Sequence, residues 1–296
     1  MATMTMQQQP KPFNYMRVAN YSLLVFLAFV FMFPIVFMVV SSLKPDLQLL
    51  RDTSSIRAFL PVGDISVNNY QAAFERVPMA RFIFNSVFVT ATTVILGLFV
   101  NSMAAYSFAI LRWKYKNIVL AVIVATFIIP FETIAVPLLL IVNSLPWISS
   151  SGITTGWLDS YHVQILPFVA SSFQIFLFYQ FFKDLPMEVV EAARIDGANS
   201  FQIYVRVIVP ISGPVFATVA ILSFLAMWNQ FLWPLMVVQS ETYRPVMVGI
   251  QYFFQLNVAW GEIMAYLSTI TLPVLVLYLS LQRAFIESIA STGVKG

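Results

Sequence analysis

The chain of 296 residues has no cysteine, one histidine (His162), ten glycines and a charged fraction of only 10%. Each shortage closes off a class of chemistry. Without cysteine there is no disulfide framework, no thiolate metal site and no cysteine nucleophile. One histidine excludes an H-E-x-x-H site or any multi-histidine metal centre. With few glycines and no Gly-Lys dipeptide, there is no phosphate-cradling P-loop. The scarcity of charge says most. A soluble domain carries about 25% charged residues, so a chain that is 59% apolar has too little polar surface to meet water all round. This is an integral membrane protein. Its net charge of +3 fits loops beside a membrane and gives no case for nucleic acid.

A helix needs about 20 mostly apolar residues to cross the hydrocarbon core. Six runs qualify: 18–40, 83–111, 118–142, 161–182, 211–238 and 263–286. They are continuous and do not alternate, which predicts an all-α protein with six transmembrane helices, not a barrel. The first run, preceded by Lys11 and Arg17, is too long for a signal peptide and lacks a small-x-small exit, so it reads as an uncleaved span.

Basic residues set the orientation. Lys11, Arg17, Arg112, Lys114, Lys116, Lys183, Arg194, Arg206, Arg283 and Lys295 fall on one side, against Lys44, Arg51, Arg57, Arg76, Arg81 and Arg244 on the other. The positive-inside rule then predicts a multi-pass protein with both termini in the cytoplasm. The expected organisation is an arm over 1–17, a membrane domain over 18–286 and a tail over 287–296. Outer segment 41–82, with Pro45, Pro61 and Asn68-Asn69, is long enough for a small folded cap. Ser149–Gly152 predicts a turn.

Loop 183–210, on the inner side, is the most informative segment. Pro186 suits the first helical position, Glu188 and Glu191 suit the early turns, and Gly197 supplies a stop with positive φ. Asn199 with Gln202 opens a second short helix that ends at Pro210. The loop is a helix–turn–helix in which Ala192 and Ala193 form a patch of little bulk, open to close approach by another surface. A capped linker between spans would show the same signals.

Glu191-Ala192-Ala193, three residues, Gly197, nine residues and Val207-x-Val209-Pro210 resemble the E-A-A-x3-G-x9-I-x-L-P motif of ATP-binding-cassette importer permeases. Valines replace the usual Ile and Leu. Trp228–Pro234 and the terminal Gly293-Val294-Lys295-Gly296 are similar to the carbohydrate-uptake branch, in particular to the maltose-permease-G-like subunit; Ser288 and Thr292 depart from its usual small residues. The resemblance implies a type I ABC importer permease fold. It also implies a second permease subunit (maltose permease F-like), a homodimeric ABC ATPase, an extracytoplasmic solute-binding protein and a surrounding lipid membrane. No cofactor is expected in this chain, with ATP and Mg on the ATPase subunits, and no enzyme activity of its own. Glu191, Ala192, Ala193, Asp196 and Gly197 would couple to the ATPase, and Val294, Lys295 and Gly296 would reach it through the tail. In outer loop 239–262, Tyr243 and Arg244 are candidates for meeting the binding protein.

Within the spans, Glu132 lies between Pro130 and Pro137 in run 118–142. A charge at the bilayer centre costs roughly 2.5–3.5 kcal/mol on insertion scales, so it should face protein or water. It is read as a pathway acceptor for sugar hydroxyls or as a structural hydrogen bond. Asn229 and Gln230, flanked by Trp228, pair amides with aromatic faces as sugar sites do, though helix packing or an interfacial belt explains them equally. Other classes weighed are a permease for a non-sugar solute such as glycerol phosphate, an ion-coupled carrier using Glu132, and an intramembrane serine protease. The protease lacks a Gly-x-Ser-x motif and an intramembrane histidine.

Overall fold

The computed structural model describes residues 15–149, 152–254 and 258–293. The chain divides into two compact units, one running to Ala72 and including Ala259–Ser268, the other holding Ala73–Val258 and the chain from Thr269.

The first unit begins with α1 (Tyr15–Ser42), which exposes apolar side chains along most of its length, as a lipid-facing helix does. After it the polar segment folds as the sequence predicts, into α2 (Asp46–Asp52), a 3₁₀ turn (Ile56–Phe59) and α3 (Asn68–Arg76), the last running on into the second unit. A buried ion pair pins this cap. Lys44 Nζ donates to Asp52 Oδ2 at 3.0 Å and to the Arg57 carbonyl. Gln48 donates to the Val62 carbonyl at 2.6 Å and accepts from Asp64 N–H at 2.9 Å. Gly63 makes that approach possible. Its φ is +89°, and a Cβ there would lie 2.3 Å from Gln48 Nε2.

The second unit is organised around α4 (Met79–Ala109). Its 31 residues span about 46 Å at 1.5 Å per residue, well beyond a hydrocarbon core about 30 Å thick. The buried face of α4 includes Asn85, Ser86, Val89, Thr93, Gly97, Asn101, Ser102 and Ala105, a stripe of small and polar residues at helical spacing. Such residues let neighbouring helices approach closely in a membrane. Packed on α4 are α7 (Tyr161–Val169), α8 (Ser172–Lys183) and α12 (Gly213–Trp228). Between α4 and α7 come α5 (Lys116–Thr126), α6 (Phe131–Ser144) and a hairpin, β1 (Pro146–Ser149) with β2 (Gly152–Thr155), in antiparallel register from Pro146↔Thr155 to Ser149↔Gly152. The pair Ser149↔Gly152 flanks the predicted turn, whose residues 150 and 151 lie outside the described residues.

The remaining elements follow the inner loop. These are α9 (Met187–Ile195), α10 (Ser200–Ile203) continuing through a π-helical turn (Tyr204–Ile208) into α11 (Val209–Ile211), then α12. Beyond it lie α13 (Leu232–Val237), α14 (Val246–Gly249) and α15 (Trp260–Gly293), which begins in the first unit.

Three runs expected as continuous spans are interrupted, and this corrects the sequence reading: 161–182 breaks at Ala170–Ser171 between α7 and α8, and two others are sharply bent. Run 118–142 is the pair α5–α6, bent by 102°. Pro130 has no N–H and drives Ile129 away from helical geometry. In place of run 211–238, Ser200–Ile211 meets Gly213–Trp228 at 81°, and α13 follows after a further interruption at Asn229–Phe231. Among the described residues, four helical stretches have the length and composition to cross a membrane: Tyr15–Ser42, Met79–Ala109, Tyr161–Lys183 and Trp260–Ser280. The two bent pairs raise the total to as many as six.

Candidate functional site

In loop 183–210, α9 is closed at both ends by local chemistry. Pro186 stands at the N-cap of α9, one residue before the predicted position, and Glu188 lies in the first turn, where negative charge suits the helix dipole. At the other end Gly197 N–H bonds the Arg194 carbonyl and Ala198 N–H bonds the Ala193 carbonyl, both at 3.0 Å, which is a Schellman motif. Gly197 has φ +85°, and a Cβ there would meet nothing within 4 Å, so the backbone conformation alone requires glycine. Asn199 and Gln202 form the reciprocal capping box that opens α10.

Val190 is buried and Ala193 packs beside it against the core of Phe178, Phe182, Ile203 and Ile208. Glu191, Ala192 and Asp196 are exposed, and so is Ile195, at 86%. The outward face of α9 is therefore Glu188, Glu191, Ala192 and Ile195, at helical neighbour spacing. Ile195 was missed in the sequence, although its place three residues after Ala192 puts it on the same face.

A second feature lies where helices break. A cavity of about 540 Å³ is lined by Thr126, Pro130, Ser171, Ser172, Gln174 and Ser223 together with Phe127, Phe131, Phe168 and Phe173. Phe127 and Phe173 stack at 5.3 Å. Irregular backbone within a membrane persists only where protein or a water-filled cavity satisfies it. Here Asn101 does so. Its Oδ1 accepts from Ser171 N–H at 2.9 Å, while Nδ2 donates to the Val169 carbonyl at 2.9 Å and to Gln174 Oε1 at 2.9 Å. Across the same gap the hydroxyls of Thr126 and Ser172 meet at 3.0 Å.

None of the pathway candidates read from sequence lines this cavity. Glu132 is on the first turn of α6, exposed, two residues past the Pro130 break and not mid-span. Trp228 is buried and stacks on Phe224, Asn229 is exposed and bonds its own helix at the Leu225 carbonyl, and Gln230 is half-buried in the interruption before α13. Asn101 and Gln174 carry the signal that singled out Glu132 and Asn229, a polar group inside an apolar run, and were missed in the sequence.

The loop after α13 is firmly held. Asp159 Oδ1 accepts from Gln239 N–H, Ser240 N–H and the Ser240 hydroxyl. Asn85 donates to the Thr242 and Arg244 carbonyls, Gln164 to that of Tyr243. Arg244 donates to the Tyr252 hydroxyl and the Gln239 carbonyl, and Tyr252 donates to Glu241. Burial, aided by the neighbouring Glu241 carboxylate, pushes the Tyr252 phenol pKa up, against the pull of Arg244. Of the candidates in loop 239–262, Tyr243 and Arg244 are thus half-buried, Arg244 acting as a strut, and Glu241 and Thr242 form the exposed tip. The tail candidates Val294, Lys295 and Gly296 lie outside the described residues.

Over residues 94–290 the sequence matches the family described as binding-protein-dependent transport system inner membrane component. The chain belongs to this family. It is 30% identical over 292 residues to the arabinooligosaccharides transport system permease protein AraQ of Bacillus subtilis (strain 168), covering 96% of this chain and 98% of that protein. It is 29% identical over 271 residues to the lactose transport system permease protein LacG of Rhizobium radiobacter, covering 91% and 93%. The crystal structure of a bacterial ABC transporter involved in the import of the acidic polysaccharide alginate shares the fold. Its matched chain has a TM-score of 0.77 at 23% identity, over 93% of this chain and 100% of that one.

Proposed function

We propose that this permease forms half of the translocation pathway of an ATP-driven importer for a sugar or sugar-like solute and couples to ATPase subunits through α9. The observation that carries the reading is the outward face of α9. An isoleucine 86% exposed beside Ala192, flanked by Glu188 and Glu191 on a helix with defined ends, is a surface built to be covered. Family membership supports a protein as its cover, and the names of the relatives support a carbohydrate as solute.

In this reading α9 and both termini are cytoplasmic, and the tip at Glu241 and Thr242 faces the binding protein. Ile195 packs in an ATPase cleft, Ala192 sets the distance of approach, and Glu191 and Asp196 offer charge to basic groups. The tail at 294–296 meets the same subunits. ATP and magnesium reside on those subunits, and this chain performs no bond chemistry. A second permease of maltose permease F type completes the pathway. The cavity at the helix breaks is this chain's contribution to it, with phenylalanine faces and the Gln174 amide and serine hydroxyls suited to the apolar faces and hydroxyls of a sugar. Glu132, exposed beside the break, faces the pathway or the second permease.

The test uses the purified complex. Glu191→Lys is expected to leave the protein inserted but to lose ATPase subunits on gel filtration and the stimulation of ATP hydrolysis by loaded binding protein. Parental transport by this variant would reduce α9 to a linker. Single cysteines at Asp64, Lys114 and Thr242 in this cysteine-free chain report orientation, with only position 114 protected from an impermeant maleimide added outside.

A further inference from the structure

Adjacent residues on α4 hold two different things. Asn101 holds the break between α7 and α8 that lines the cavity, bonding Ser171 N–H, the Val169 carbonyl and Gln174. Ser102 holds the inner loop. Its hydroxyl is 2.7 Å from the Tyr204 phenol, and since Ser102 donates to the Leu98 carbonyl, Tyr204 is the donor. One turn further along, the Tyr106 hydroxyl donates to the Ser200 carbonyl at 3.0 Å, and its ring lies 5.5 Å from that of Tyr204. All four side chains on this line are within 5% of full burial.

The segment that Ser102 grips is itself irregular. Tyr204–Ile208 is a π-helical turn in which Val209 N–H reaches back five residues to the Tyr204 carbonyl. Single π turns are concentrated at functional positions, because the extra residue can be taken up or released as a helix shifts. The α7–α8 break is the second irregular element, and Gly97 lets it sit close. A Cβ at Gly97 would lie 3.3 Å from both the Val169 carbonyl oxygen and Gln174 Oε1. Two interrupted segments, one in the inner loop and one at the cavity, are thus bonded to consecutive residues of one continuous helix. Movement of either changes what α4 presents to the other.

We propose that Tyr204, Ser102 and Asn101 are positioning residues that link displacement of the inner loop to rearrangement of the α7–α8 break, and so to the shape of the cavity. The proposal rests on the functional reading above, in which α9 docks an ATPase and the cavity lies on the solute path. The bond between Tyr204 and Ser102 is the step that can be removed without disturbing packing, by deleting one oxygen.

The experiment uses the complete transporter in proteoliposomes, with parental chain, Tyr204→Phe, Ser102→Ala and the double variant. Solute uptake and ATP hydrolysis are measured together. A cysteine introduced by Ala226→Cys, on the cavity wall, reports its accessibility to a small maleimide with and without a non-hydrolysable ATP analogue. Tyr204→Phe is expected to assemble, to retain basal ATP hydrolysis and to lower solute moved per ATP by about three- to tenfold, the range one hydrogen bond commands. Nucleotide should then cease to alter labelling at position 226. Because the two residues share one bond, the double variant should fall no further than the worse single one. A merely structural bond would change assembly and leave the uptake-to-hydrolysis ratio and the nucleotide-dependent labelling alone. A parental ratio in both single variants overturns the linkage. If Glu191→Lys is uncoupled while these variants are not, the linkage alone fails. If Glu191→Lys transports normally, the functional reading fails with it. Should Tyr204→Phe fail to assemble, Ser102→Ala tests the same bond from the other end and decides in the same way.

Discussion

The loop at 183–210 and the break at 169–172 both interrupt a helical chain, but they are closed in opposite ways. In the loop, the stop of α9 and the start of α10 are satisfied within five residues: Gly197 to Arg194, Ala198 to Ala193, Asn199 with Gln202. At the break, the freed Val169 carbonyl and Ser171 N–H are satisfied by Asn101, about 70 positions away on another helix. Water explains the contrast. A loop outside the hydrocarbon can close itself and leave remaining groups to solvent, whereas an interruption inside must borrow partners from a neighbouring helix. The first kind of joint closes its own ends and meets α4 through the Ser102 and Tyr106 hydroxyls. The second is tied to whatever supplies its bonds.

The largest effect that bears on this contrast comes from Asn101. Asn101→Leu strips the partner from two part-buried backbone groups, at up to about 1–3 kcal/mol each, whereas Asn199→Ala, which removes the cap of α10, costs about 1 kcal/mol. Thermal unfolding of the detergent-solubilised complex should fall far more for the first. Equal shifts would show that the break does not depend on α4.

Next in size is Gly197. A β-branched residue at φ +85° strains the turn by about 1–3 kcal/mol, so Gly197→Val should abolish most coupled transport. Gly197→Asn, which tolerates left-handed geometry, should retain most of it. Because a Cβ there meets nothing, equal loss in both variants would mean that a partner fills the space.

Arg244→Ala addresses a third joint, the outer loop, where a side chain replaces distant backbone support. Loss of the strut should raise the solute concentration needed for half-maximal uptake by about three- to tenfold with the maximal rate retained, measured in proteoliposomes with binding protein. An unchanged value would make the Tyr252 and Gln239 contacts dispensable.

The smallest effect is one of pH on the outer cap. The Lys44 hydrogen bond holds the Asp52 carboxyl below the usual carboxylate range, against the opposing pull of desolvation. A lowered native pKa adds stability that is complete above the unfolded value near 3.9 and is lost as pH falls through the native one. Protease resistance of segment 43–66 should therefore drop below about pH 4 in the parent and show no such acid dependence in Asp52→Asn.

Legibility from sequence follows the same division. Cap boxes, Schellman glycines and N-terminal prolines are signals between near neighbours, so α9, the turn at Gly197 and α10 could be placed within a residue. The polar cap after α1 was legible from composition. The bends at Pro130 and Ser212 were not, because long apolar runs conceal whether a proline kinks a span or breaks it. Asn101 escaped notice because its partners are set by packing of α4 against α7 and α8, and no local spacing encodes that. The pathway candidates lie off the cavity for a related reason. Glu132, Asn229 and Trp228 stand out as residue types, but the cavity forms where three interrupted helices meet, beside positions that look ordinary in the chain.

The measurement that bears most directly on the whole account is solute uptake by proteoliposomes holding the complete complex, with ATP supplied on the side of loop 183–210 and loaded binding protein on the other. The expected result is uptake that requires both, rises and falls with ATP hydrolysis, and continues when ionophores collapse every ion gradient. Uptake that proceeds without ATP, or that stops when the gradients are collapsed, would contradict coupling through α9 and make this chain a carrier of another kind.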